Sequence, residues 1–310
     1  MRRILVIRYG GFGDIVLTMS AFRTIRVHHS GDRITVLTTG RFGDLLTKTG
    51  YFDEVLIDDR LKPWQVARWF RLVRRLRGKR FDRVYDLQRN QRTAVLYRVT
   101  VFGRSVEWSG VIRGCSHYVR DDPVDRRHIT ERLAEQLAVA GIPKTLPADF
   151  AWLNGEVGRF GLPAAYVLLV PGGAPHRPEK RAPAECFAGL GRHLIGQGIA
   201  PVLLGTESER DQIDAILASS PGALDLSDRT SFGDIADLAR GAAGAVGNDT
   251  GAMHLTAAVG CASLVLFSAA SDPMRVRPQG RRVHVLETET LQSLQLERLI
   301  AEWQELCADR

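Results

Sequence analysis

The sequence predicts an α/β protein built as two doubly wound units, each a parallel sheet covered by helices on both faces. Three observations predict it. Short β-rich runs alternate with helical patterns along the whole chain. The first run leads directly into the glycine-rich turn Gly10-Gly11-Phe12-Gly13 and then a helical pattern, and the second half repeats that strand, turn and helix scheme. Between the halves, residues 154–165 gather Gly155, Gly158, Gly161 and Pro163, which reads as a connection. The expected domains are therefore 1–155 and 156–310.

In the first half the expected strands are 3–8, 33–38, 54–57 and 83–87. In the second they are 166–170, 200–204, 223–226, 244–246, 263–267 and 283–286. Leu291, Leu294, Leu296, Leu299, Ile300 and Trp303 read as a C-terminal amphipathic helix. The chain has 310 residues, 45% hydrophobic and 25% charged, an ordinary globular composition with room for two domains. No stretch reaches the roughly 18 uninterrupted apolar residues of a membrane span, and Met1-Arg2-Arg3 precedes an apolar run that ends at Arg8, unlike a secretory leader. Cys115, Cys186, Cys261 and Cys307 form no C-x-x-C pair, so reduced thiols in a cytoplasmic protein are expected.

The net charge of +7 is unevenly spread, +12 over residues 1–150 and −5 over 151–310. Between Arg60 and Arg83 ten Lys and Arg side chains face one acid, Asp82, with Trp64, Trp69, Phe70, Leu72, Val73 and Leu76 interleaved. Such a run is either a solvated helix face or a seat for an anionic surface, phospholipid or nucleic acid.

Four loops at strand ends carry candidate chemistry. In the first turn, with Gly13, backbone amides at a helix start can meet an anion. Val16 stands where the third glycine of a dinucleotide fingerprint belongs, and the second strand ends in Thr38-Thr39 rather than an acid, both of which argue against a dehydrogenase. Asp14 is either a helix cap or, at the sheet edge where such folds bind ligands, a general base. The loop from Pro171 to Arg181 carries His176 and Lys180, cationic or potentially cationic groups that suit a phosphate, although a lysine is more commonly a surface residue. Glu209, in Gly205-Thr206-Glu207-Ser208-Glu209, could accept bonds from ribose hydroxyls or cap the next helix.

The strongest local signal is Gly247-Asn248-Asp249-Thr250-Gly251-Ala252-Met253-His254. A strand ends, a tight polar turn follows, and Thr250 and Gly251 can offer hydroxyl and amide donors to a diphosphate. His254, one turn on, is either a packing residue or a ligand contact. No D-x-D triplet, no metal-spaced His, Cys and carboxylate cluster and no G-x-S-x-G elbow occur, so neither a built-in divalent metal nor serine hydrolase chemistry is implied.

Together these motifs resemble the glycosyltransferase family that includes the lipopolysaccharide heptosyltransferases. The resemblance rests on Ile4-Leu5-Val6-Ile7-Arg8, Gly13-Asp14-Ile15-Val16-Leu17-Thr18, Phe22-Arg23-Thr24-Ile25-Arg26 and Tyr85-Asp86-Leu87-Gln88. It continues in Pro171-Gly172-Gly173-Ala174, Lys180 with Pro183, Asp228-Arg229-Thr230-Ser231-Phe232, and Gly247 to Gly251 with His254. It implies a GT-B fold, two facing Rossmann-like domains with a cleft between them, and inverting, metal-independent transfer of heptose from ADP-heptose to the lipopolysaccharide inner core.

Carried over residue by residue, the resemblance makes Asp14 the acceptor base. Lys180, Thr250, Gly251 and His254 surround the donor diphosphate and sugar, Glu209 holds the ribose, Thr230 lies beside adenine, and Asp249 orients the sugar or its nest. The acceptor it implies is a lipid-anchored anionic oligosaccharide, so the 60–83 segment would meet a membrane rather than nucleic acid, and the protein would sit at the inner face of the inner membrane. The chain departs from the family pattern at Ala182, at Pro175-His176 and at Phe267-Ser268-Ala269-Ala270. Rival readings are a GT-B transferase for another nucleotide sugar and a non-catalytic binder of nucleotide or nucleic acid.

Overall fold

Two all-parallel six-stranded sheets organise the chain, and in both the strand that comes first in sequence lies in the middle. The structure, a computed structural model, describes residues 1–58, 64–122, 124–173 and 177–309, leaving out the side chains of 91 and 92. His176, Arg60 and Lys62 thus lie outside the described residues. The chain divides into Met1–Trp152 and Leu153–Arg310.

The first unit runs β1 (Arg3–Ile7), α1 (Phe12–His28), β2 (Arg33–Thr38), α2 (Gly43–Lys48), β3 (Glu54–Ile57), α3 (Val66–Gly78), β4 (Arg83–Asp86), α4 (Gln91–Val101), β5 (Glu107–Gly110), β6 (His117–Tyr118) and α5 (Ile129–Val139). Its strand order is β3-β2-β1-β4-β5-β6. β1 is buried from Ile4 to Ile7 because it has a strand on each edge and helices on each face, which accounts for its unbroken apolar run.

The second unit runs β7 (Tyr166–Val170), α6 (Ala184–Gly196), β8 (Ala200–Leu203), α7 (Arg210–Ser219), β9 (Leu224–Asp225), α8 (Phe232–Gly241), β10 (Gly244–Asn248), α9 (Gly251–Ala258), β11 (Ser263–Ser268), α10 (Pro273–Val276), β12 (Val283–Thr288) and α11 (Leu296–Ala308). Its order, β12-β11-β10-β7-β8-β9, is the same doubly wound scheme. Two apolar clusters sandwich the sheet. Val167, Leu169, Phe187, Leu264 and Trp303 fill one side, and Leu168, Val202, Leu238, Met253 and Phe267 the other. The alternation along β7 assigns successive side chains to opposite faces.

Doubly wound sheets bind ligands at the carboxyl ends of the strands where the winding reverses. Here those points fall between β1 and β4 in the first unit and between β7 and β10 in the second.

Three expectations need correction. β5 and β6 were not expected from the sequence. Glu107-Trp108-Ser109-Gly110 has one large apolar side chain and ends in glycine, and β6 is only two residues long. The C-terminal helix starts at Leu296, because Leu291–Ser293 forms a 3₁₀ turn capped by the Thr290 side chain, and Leu294 is extended. Leu291 and Leu294 still enter the core, since a three-residue turn superposes positions three apart. Residues 153–155 belong with α8, where Arg240 donates to the Leu153 carbonyl and the Gly155 amide donates to Asp237.

Candidate functional site

At the first unit's reversal point, β1 ends and the chain turns through Gly10 into α1. Gly10 has φ +108°, and a Cβ there would lie 2.6 Å from Asp14 Oδ2, so both backbone and neighbour require glycine. Gly13 and Asp14 occupy the first turn of α1. The Gly11 amide donates to Asp14 Oδ2 at 2.9 Å, and Arg8 Nη2 donates to Oδ1 at 3.0 Å. Asp14 therefore caps the helix and also presents a carboxylate whose side chain is 51% exposed, so capping does not bury it. Just beyond β4, the Gln88 side chain accepts from the Tyr9 amide at 2.7 Å, linking the loops after the two strands.

At the second unit's reversal point, the loops after β7 and β10 meet. Asn248, fully buried at the end of β10, donates through Nδ2 to the carbonyls of Pro171 (2.5 Å) and Gly172 (3.1 Å), and its Oδ1 accepts from the Ala182 amide at 3.1 Å. One side chain thereby fixes both ends of the 171–182 loop. The sequence reading did not single it out. A polar residue closing an otherwise apolar strand was the available signal.

On that frame Lys180 Nζ donates to Asp249 Oδ2 at 2.8 Å, Ser271 Oγ donates to the same oxygen at 2.9 Å, and His254 Nε2 lies 3.6 Å from Oδ1. Burial alone would push the Asp249 carboxyl up, but the His254 ring and the Lys180 ammonium facing it outweigh burial and hold it at about 2. The Asp249 carboxyl is therefore ionised at neutral pH. Thr250 is the N-cap of α9, its hydroxyl accepting from the Met253 amide at 3.4 Å and keeping its own hydrogen to donate. Gly251 opens that helix, whose first amides lack helical acceptors. His254 is buried, and its Nδ1 has no hydrogen-bond partner among the described residues.

Glu209 is buried and largely committed to its own turn. Oε2 accepts from the Thr206 amide (2.8 Å) and hydroxyl (2.6 Å), and Oε1 accepts from Ser208 at 2.6 Å. Against burial, these bonds and the Arg181 guanidinium at 3.6 Å hold its carboxyl below the usual range. Arg181, also missed in the sequence, donates to the Gly173 carbonyl at 2.5 Å and so ties Glu209 to the loop after β7. Thr230 is half-buried in the turn after β9, immediately before Ser231, which caps α8. The Asp228 amide bonds that turn to the Gly205 carbonyl at 3.1 Å.

The structure thus joins Lys180, Asp249 and His254 directly, sets Thr250 and Gly251 beside them at the start of α9, and places Glu209 and Thr230 on the loops after β8 and β9. Among the described residues, no three His, Cys, Asp or Glu side chains group so as to hold a metal ion. Such a cradle of amides, a lysine and a histidine can neutralise a departing polyphosphate.

The family model for glycosyltransferase family 9 (heptosyltransferase) matches residues 69–302, about three quarters of the chain. The chain belongs to glycosyltransferase family 9. As a family 9 glycosyltransferase, it is 25% identical to lipopolysaccharide heptosyltransferase 2 of Escherichia coli K12 over 93% of its own length and 88% of the relative's. The protein of the same name from Salmonella typhimurium LT2 matches equally, at 25%. Among solved structures, a family 9 glycosyl transferase from Veillonella parvula DSM 2008 aligns with TM-score 0.84, 20% identity and coverage of 100% and 98% of the two chains. The E. coli ADP-heptose lipopolysaccharide heptosyltransferase II aligns with TM-score 0.78, 23% identity and coverage of 100% and 99%. These likenesses bear out the GT-B fold class for this family member.

Proposed function

We propose that the protein is an inverting transferase that moves heptose from ADP-heptose to the inner core of lipopolysaccharide. The observation that carries this reading is the Lys180–Asp249–His254 cluster at the start of α9, on the reversal point of the second sheet. It is reinforced by relatives named for lipopolysaccharide heptosyl transfer.

In the proposed step an acceptor hydroxyl oxygen attacks the anomeric carbon while the bond from that carbon to the diphosphate oxygen breaks. Asp14 takes the hydroxyl proton, and the electron pair leaves with ADP. Lys180, the Thr250 hydroxyl and the first amides of α9 meet the diphosphate charge as it develops. Gly13, Glu209, Thr230, Asp249 and His254 are assigned to donor binding, as the sequence reading expected. His176 carries the same expectation from outside the described residues.

The same reading seats α3 on an anionic membrane, close to a lipid-anchored acceptor. Trp64, Val66 and Phe70 are 72%, 69% and 67% exposed, and Arg68, Arg71, Arg74 and Arg75 are exposed with them on a helix that has no acid. Among the described residues no helix is long and apolar enough to cross a membrane.

The deciding experiment is a thermal-shift panel of ADP-, UDP-, GDP- and CMP-sugars together with transfer assays on D14N. A shift with ADP-heptose alone, and D14N that binds donor but does not transfer, is the expected result. Preference for another base moves the protein to a different donor, and transfer by D14N removes the base assignment.

A further inference from the structure

We propose that Arg8 is a positioning residue that aims the Asp14 carboxylate, with the buried Asp86 as a second carboxylate behind it. The inference rests on the reading of Asp14 as the acceptor base.

Arg8 directly follows β1 and is 4% exposed. Burying a guanidinium is costly unless it is paired and hydrogen-bonded, so its position calls for partners. Nη1 donates to the Leu87 carbonyl at 2.6 Å, just beyond β4, and Nη2 donates to Asp14 Oδ1 at 3.0 Å. The forked head therefore bridges the two strands that flank the reversal point and the first turn of α1.

With Gly11 N on Oδ2, each Asp14 oxygen has one fixed donor, which sets the plane of the carboxylate. The lone pairs left over lie on a group that remains half exposed. A lysine could supply charge here, but it could not reach two acceptors with one rigid planar head.

Asp86 is fully buried and stands across from Ile7 in the β1–β4 register. Its Oδ1 accepts from the Gln88 and Arg89 amides at 3.1 and 3.3 Å. Asp86 Oδ2 and Arg8 Nε both lack a hydrogen-bond partner among the described residues, so charge attraction rather than a direct bond relates them. Arg89, whose charge also acts on Arg8, is committed through Nη2 to Asp121 at 2.9 Å. Arg8 thus feels the charge of both Asp14 and Asp86 but, of these two carboxylates, is hydrogen-bonded only to Asp14.

The test compares wild type, R8K, D86N and the charge-balanced double variant R8M/D86N, with turnover expressed per ADP-binding site so that misfolded protein is discounted. The double variant is expected to keep its ADP affinity and donor KM within twofold and to lose tenfold or more in kcat. R8K falls between it and wild type. Should the double variant not fold, R8K alone carries the test through a several-fold lower kcat at unchanged donor KM.

A kcat within twofold of wild type in the folded R8M/D86N, or in R8K where only that variant folds, overturns the inference. So does a kcat loss matched by an equal loss of ADP affinity. D14N separates this outcome from failure of the underlying reading. An inactive D14N beside fully active Arg8 variants sinks only the positioning role, whereas an active D14N sinks the base itself.

Discussion

Lys180 Nζ and Asp249 Oδ2, 69 residues apart in sequence, lie 2.8 Å apart and join the loop after β7 to the turn after β10. Both side chains are mostly buried. Removing one partner of such a pair leaves the other charged and poorly solvated, which makes the contact consequential for both stability and chemistry.

Replacing Lys180 with Met is expected to lower kcat by about 100-fold or more, the scale of losing one preorganised donor to a developing charge. ADP affinity should weaken as well. Steady-state kinetics with ADP-heptose and calorimetric titration with ADP check the two effects, and a variant with wild-type kcat would remove Lys180 from the leaving-group role.

Two buried aspartates should give opposite pH signatures. The folded carboxyl of Asp249, at about 2, lies below its ordinary 3.8, so its stabilising contribution is complete above pH 4 and fades as the pH falls toward 2. Asp86 is reversed, because burial raises it to about 6 despite bonds from Thr93 and the Arg89 and Gln88 amides. It binds a proton more tightly folded than unfolded, so its contribution declines as the pH rises from 4 to 6. Denaturant titrations should show D86N gaining relative to wild type across that window, by about 3 kcal/mol at most. D249N should lose more relative to wild type at pH 7 than at pH 3.

Gly247→Ala should destabilise the second unit by about 1–3 kcal/mol, the usual range for overpacking. A Cβ at this position would lie 2.6 Å from Val170 Cβ, 2.7 Å from the Val170 carbonyl oxygen and 2.9 Å from Met253 Sδ. The glycine of this motif is required where β10, β7 and α9 converge, and a lowered denaturation midpoint with an unchanged slope would report it.

The triple variant R71Q/R74Q/R75Q should bind vesicles of 30% phosphatidylglycerol in phosphatidylcholine at least tenfold more weakly than wild type, at about 1 kcal/mol per cation near the surface. Exposed Phe70→Ser should weaken the same binding without lowering the melting temperature. Co-sedimentation reads both. Equal binding to pure phosphatidylcholine, or unchanged binding by the triple variant, counts against α3 as the contact.

The interior strands were legible because β1 and β7 are continuous apolar runs between strong turn signals. β5 escaped notice because its neighbours, rather than its own composition, make Glu107-Trp108-Ser109-Gly110 a strand. The 247–254 motif was legible for a similar local reason, since strand end, cap and helix start are adjacent in sequence. The parts that fix the site were not. Asn248 reaches carbonyls 76 and 77 residues away, Ser271 reaches Asp249 from 22 residues away, and Arg8 meets Leu87 at a separation of 79. No local pattern encodes such pairings, which follow from strand order alone.

Under the proposed function, the ion pair at Lys180 also bears on how the product leaves. A carboxylate held beside the lysine competes with any phosphate that occupies the same ammonium, and it is always present at the high local concentration of a tethered group. Under the proposed reaction, Asp249 would reclaim Lys180 as spent nucleotide loosens its grip, which disfavours rebinding and shortens product residence.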